Sequence, residues 1–168
     1  GSEMCIRDRI IISIVNMILT TMCYLKRNHQ TLLLHRIKKQ KDINEGKWIG
    51  VGGKFEAGES PQECMKREIF EETGLTAHSL KLHGFVSFPG LYYGEDEGMF
   101  IFTCEDFSGE LHECDEGVLK WIDDQDIDKL PMWEGDYHFF EWIEDNDFHS
   151  AKIVYQDDHV VEYQEEVY

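Results

Sequence analysis

The chain has 168 residues, 42% of them hydrophobic and 30% charged, a composition that excludes disorder and suits one domain with a sizeable core. Its formal net charge of -18 is uneven: residues 1–67 hold 12 of the 16 Lys and Arg, and the rest of the chain holds 27 of the 34 Asp and Glu. So acidic a body repels polyanions, which argues against nucleic-acid binding, while a small anion escorted by a divalent cation is compatible with it.

At the start, Arg7 and Arg9 precede Ile10-Ile11-Ile12 and Ile14-Val15, but Asn16 and Thr20-Thr21 interrupt the apolar run. It is too short to span a bilayer and no membrane segment is expected. The opening GSEMCIRDR reads like translated sequencing-adapter sequence, so residues 1–16 are expected to be a non-native extension and 17–168 the domain. From Met17 the pattern predicts a strand over 18–25, a polar turn over 26–30 and a strand over 31–35. A loop containing Lys38-Lys39-Gln40-Lys41 follows; it reads as a solvated face, with phosphate steering as the alternative. Beyond it comes Trp48-Ile49-Gly50-Val51-Gly52-Gly53.

Ser60-Pro61-Gln62-Glu63 is a capping box with proline at the first helical position, and Gly74 is placed to end the helix as a left-handed cap. Cys64, Met65 and Ile69 supply its apolar side, and Arg67 stands four residues before Glu71. After it, strands are expected over 80–88 and 99–107 around a 90–98 loop, and a short one over 119–122. A helix is expected over 134–145, with Tyr137, Phe140 and Trp142 or Ile143 inward. Strands over 153–155 and 160–163 flank an Asp157-Asp158 turn. A mixed sheet with two principal helices implies an α/β or α+β sandwich.

The chemistry concentrates between Gly53 and Leu75. Glu68, Glu71 and Glu72 lie at i, i+3 and i+4, where like charges repel on a helix face, so a cation is expected beside them. Carboxylates with a backbone carbonyl from the glycine turn suit Mg2+ or Mn2+, ions that also hold substrate phosphates. Gly53, Glu59, Arg67, Glu68, Ile69, Glu71, Glu72, Gly74 and Leu75 form a fixed spacing that arises by chance in about one chain in a million of this length. The five cysteines show no CxxC and read as free thiols of a reducing cytoplasm. The histidines are scattered, so zinc is not expected; Asp124-x-Asp126-x-Asp128 lacks the glycine and closing Glu of a calcium loop.

That spacing resembles the Nudix box at every position, which implies a Nudix α/β/α sandwich and a Mg2+-dependent hydrolase of diphosphate linkages. KWIGVGGK before the box and PMWEGDYHFF after it resemble the MutT-type, 8-oxo-dGTP diphosphatase branch over most of residues 17–155. The resemblance implies that the Gly52 carbonyl, Glu68, Glu71, Glu72 and Glu116 surround the metal and that Glu59 and Arg67 brace them. It implies that Glu71 or Glu116 deprotonates the attacking water and that Phe88, Trp133 and Asp136 hold the purine. Lys54 is a candidate for phosphate contact, with a solvated lysine as the equal alternative. Ile49 and Gly135 stand where relatives place an Asn and a second acid, which blunts base discrimination. The resemblance thus points to a nucleotide-pool sanitising enzyme serving DNA repair, a monomer or homodimer, that cleaves nucleoside triphosphates to monophosphate and pyrophosphate. An RNA 5'-triphosphate pyrophosphohydrolase and a non-catalytic nucleotide sensor are the alternatives.

Overall fold

A computed structural model describes residues 16–168, so most of the expected 1–16 extension lies outside the described residues. Among the described residues nine strands form one mixed sheet. The strands are β1 (Met17–Arg27), β2 (Gln30–His35), β3 (Trp48–Ile49), β4 (Val51–Lys54), β5 (Thr76–Tyr92), β6 (Glu95–Ser108), β7 (Val118–Asp123), β8 (His149–Gln156) and β9 (His159–Val167). Their order is β3-β2-β1-β6-β5-β8-β9, with β4 paired to β1 and β7 to β2. The pairs β1–β6 and β5–β8 are parallel and the rest antiparallel. Helix α1 (Pro61–Thr73) lies between β4 and β5, and the short α2 (Asp136–Trp142) precedes β8.

Side-chain alternation along β1 and β2 builds a core on each face of the sheet. Met22, Tyr24 and Leu33 point to one side, where Phe139 and Trp142 of α2 close the layer. Cys23, Leu25 and Leu32 point to the other, under Met65 and Ile69 of α1. A helix on each face makes the α/β/α sandwich that the sequence implies. Among the described residues no helix is long and apolar enough to cross a membrane.

Three hairpins turn on two residues each with positive φ: Asn28-His29, Tyr93-Gly94 and Asp157-Asp158. Such turns match the twist of paired strands, so β1 and β2 run on into the expected 26–30 turn. The expected 90–98 loop is likewise mostly strand: Tyr92 pairs with Glu95 across a tight tip. The second helix is shorter than the expected 134–145, and its inward residues are Asp136, Phe139 and Trp142, whereas Tyr137 is exposed. Only two helical turns form here, and starting at Asp136 rotates the buried stripe by one residue from the expected one.

Candidate active site

Helix α1 forms as its ends dictate. Ser60 Oγ accepts from the Glu63 amide at 3.2 Å, the Glu63 carboxylate accepts from the Ser60 amide at 2.9 Å, and Gly74 caps the far end at φ 77°. Burying Cys64, Met65 and Ile69 against the sheet turns the Glu68 and Glu72 side toward the Gly52-Gly53 strand. Here two backbones nearly touch. A Cβ on Gly52 would lie 1.9 Å from the Thr21 carbonyl oxygen, and one on Gly53 would lie 2.6 Å from the Glu68 carboxylate. The Gly52 amide donates to Glu72 Oε2 at 3.2 Å.

Arg67 organises the acids from behind. It donates twice to Glu59, at 2.5 and 3.0 Å, and also to Glu68 at 2.8 Å, Glu71 at 3.1 Å and the Lys54 carbonyl at 2.9 Å. This bidentate contact lowers the Glu59 carboxyl to about 2 and raises the Arg67 guanidinium. Glu68 and Glu72 behave oppositely. Burial lifts both above the ordinary carboxylate range: Glu68 against the opposing pull of Arg67, and Glu72 well above it with the charges of Glu116 and Glu68 adding to the rise. Glu116 comes in from the β7 side and is gripped by Arg36, which also holds Asp42 at 2.5 Å.

A cavity of about 380 Å³ opens here, its wall including Gly52, Gly53, Lys54, Glu68, Glu72 and Glu116. Lys39, from the basic loop read as solvated, lines it too. Glu71 does not line it: its side chain is 54% exposed and paired with Arg67, so helix geometry brings two of the three box acids inward and leaves the third at the rim. Lys54 places its ammonium 4.4 Å from the ring centre of Tyr92.

A second cavity, about 100 Å³, adjoins the first and shares with it Met22, Asn44, Ile49, Tyr92, Glu97 and Met99. Phe88, Trp133 and Asp136 all line it, so the structure brings together the three residues expected at a base. The Trp133 ring meets Tyr155 edge-on at 5.1 Å and carries the Lys47 ammonium at 4.3 Å. Burial first, then the charge of Glu97, raises the Asp136 carboxyl to about 8.

Several residues here were not expected from the sequence: Arg36, Asp42, Asn44, Tyr92 and Glu97. Glu97 had a legible signal, since it falls in phase with the inward Met99 and Ile101 of β6. Arg36 and Asn44 had none, being single polar residues at a strand end and in a loop.

The donor set suits a hard divalent cation: carboxylates with excess negative charge, next to a glycine strand whose carbonyls are oxygen ligands of the right kind. Among the described residues no three donors already converge as a closed metal cage.

A family model described as NUDIX domain matches residues 18–143. The chain is 34% identical over 125 residues to the uncharacterized Nudix hydrolase YvcI of Bacillus subtilis (strain 168), covering 72% of this chain and 75% of that protein. It is 38% identical over 107 residues to an oxidized purine nucleoside triphosphate hydrolase of Danio rerio, covering 61% of this chain and 65%, just under two thirds, of that one. The crystal structure of a mutator MutT protein from Bacillus halodurans superposes with a TM-score of 0.77 at 31% identity, over 89% of this chain and 98% of that one.

Proposed function

The chain belongs to the NUDIX family as a MutT-type hydrolase, and from that premise we propose that it cleaves purine nucleoside triphosphates, 8-oxo-dGTP among them, to monophosphate and pyrophosphate. One observation carries the reading. The acidic cavity beside α1 adjoins an aromatic cavity lined by Phe88 and Trp133, and the two share a wall, as a triphosphate joined to a base requires. The relative from Danio rerio, described as acting on oxidized purine nucleoside triphosphates, supports the same substrate class.

In this reading Glu68, Glu72 and Glu116, with the Gly52 carbonyl, hold Mg2+, or Mn2+ in its place. When bound, the cation offsets the negative charge that gathers on the phosphate oxygens. Arg67 and Glu59 hold Glu68 and Glu71 in place without touching substrate. Lys54 and Lys39 face the same cavity and offset phosphate charge. Glu71, at the rim, or Glu116 takes the proton from the attacking water, which is where a carboxylate with free oxygen lone pairs is needed. Phe88 and Trp133 stack on the purine and Asp136 bonds its polar edge.

Pyrophosphate release from 8-oxo-dGTP, dGTP, dATP, dCTP, dTTP and a short triphosphorylated RNA, each with Mg2+, tests this. Purine triphosphates are expected to lead, with a modest advantage for 8-oxo-dGTP over dGTP. Faster release from the RNA, or equal rates on purines and pyrimidines, would overturn the reading.

A further inference from the structure

We propose that Glu97, on strand β6, is a base-contacting specificity residue that forms the polar end of the base cavity with Asp136 and Asn44 and favours guanine-type purines by accepting from their ring and amino N–H groups. The proposal rests on the reading of that cavity as a base pocket and adds a residue to it.

Register carries the first step. Glu97 is the cross-strand partner of Phe88, so both side chains stand on the same face of the sheet, and Glu97 lines both cavities where they meet. It is 8% exposed, and among the described residues its only side-chain hydrogen bond is from Thr20 Oγ1 to Oε1 at 2.7 Å. No ion pair involves Glu97 or Asp136 among the described residues. Two acids are therefore buried beside Phe88, Leu91, Met99 and Trp133 without a cation in contact. Tying β1 to β6 needs no acid there, because a neutral amide would accept from Thr20 at lower desolvation cost. A buried acid in a cleft with no cation partner is a candidate functional position.

Asn44 completes the set. The Trp133 indole N–H donates to Asn44 Oδ1 at 2.7 Å, and an indole can only donate, so the amide oxygen is the atom turned toward it. With its oxygen so engaged, Asn44, which lines the cavity, has its NH2 group left to donate. The pocket thus offers the Glu97 carboxyl as an acceptor, the Asp136 carboxyl, protonated up to about pH 8, as donor and acceptor, and one amide as donor. Guanine carries N–H donors on N1 and N2 beside the O6 acceptor, so it matches that supply; removing the 2-amino group leaves an acceptor oxygen unpaired.

Binding of dGMP and dIMP, which differ only by the 2-amino group, reads this without any hydrolysis. Calorimetry on the wild-type chain should show dGMP bound more tightly than dIMP by on the order of tenfold. In Glu97→Gln, which keeps shape and the Thr20 contact, the ratio should collapse toward one. Equal binding of dGMP and dIMP by the wild type overturns the proposal whatever the variant does, and so does a ratio that survives in a Glu97→Gln protein with a normal melting curve. Binding of dGMP with the expected ratio, but no pyrophosphate release from any purine triphosphate, would instead sink the proposed reaction and leave the specificity assignment standing.

Discussion

The Trp133 indole and the Asn44 amide are bonded at 2.7 Å, across 89 positions of chain. That contact brings an amide to the aromatic cavity, although Ile49 stands where the family resemblance would place an Asn. Asn44→Leu should therefore weaken both the pocket and the fold: it strips an amide from the cavity and leaves the indole N–H without its acceptor, a loss of about 1 to 3 kcal/mol. A rise in KM for 8-oxo-dGTP together with a lower melting temperature is the expected result. An unchanged KM would mean that the amide does not meet the base.

Glu72→Gln separates stability from turnover. The half-buried Glu72 carboxyl is raised well above its usual range, so a neutral isostere should leave the metal-free protein as stable as before or more so. Turnover should fall by about two orders of magnitude or more as the phosphate charge loses its counterion. Near-normal turnover at saturating Mg2+ would remove Glu72 from the metal assignment.

The two adjacent glycines should fail differently. Gly52→Ala drives a Cβ to 1.9 Å from the Thr21 carbonyl oxygen, main chain against main chain, and should cost about 3 kcal/mol or more of stability. Gly53→Ala meets the Glu68 carboxylate first, a side-chain end that can swing aside, so the fold should persist while activity drops. Denaturant midpoints and turnover, measured on both variants, check the contrast.

Two buried groups set the same pH trend. Folded Asp136 keeps its proton up to about pH 8, whereas the unfolded chain releases it near its ordinary value. The folded state thus binds more protons in that window, and stability falls as pH rises through it. His149 faces Glu165 at 2.5 Å and Asp145 at 3.0 Å with its two ring nitrogens and is shifted upward: burial opposes the shift, and the two carboxylate bonds outweigh it. Its contribution is full below the unfolded histidine value and is lost as pH rises through the folded one. Denaturant midpoints should therefore be higher near about pH 6 than near about pH 9. Asp136→Asn and His149→Gln should each flatten the slope, and an unchanged slope in both would refute the assignment.

What could be read in advance follows from how locally each feature is encoded. Helix α1 was legible to the residue because Ser60, Glu63 and Gly74 specify its ends within the segment itself. Phe88, Trp133 and Asp136 were placed by resemblance, and they do share a cavity. Glu97 and Asn44 were not foreseen, because each matters through a partner far away in the chain: Thr20 and the Phe88 register for one, Trp133 for the other. The 90–98 segment was misread because its glycines suggested a loop, whereas Gly94 serves a two-residue turn. Glu71 was expected among the inner acids and sits at the rim, a matter of helix rotation that spacing alone leaves open.

The parallel pairing of β1 with β6 has a kinetic cost. Thr20 and Glu97 are 77 positions apart, so the wall between the two cavities closes only after most of the chain has been synthesised and a long loop has been ordered. Non-local pairing of this kind slows folding and keeps strand edges exposed meanwhile. A nascent chain holding β1 to β5 already carries the whole acidic helix and the strands it packs on, yet lacks β6, the strand that joins β1 to β5. Expression yield should therefore depend on temperature and on chaperone supply more steeply than the native-state stability would suggest.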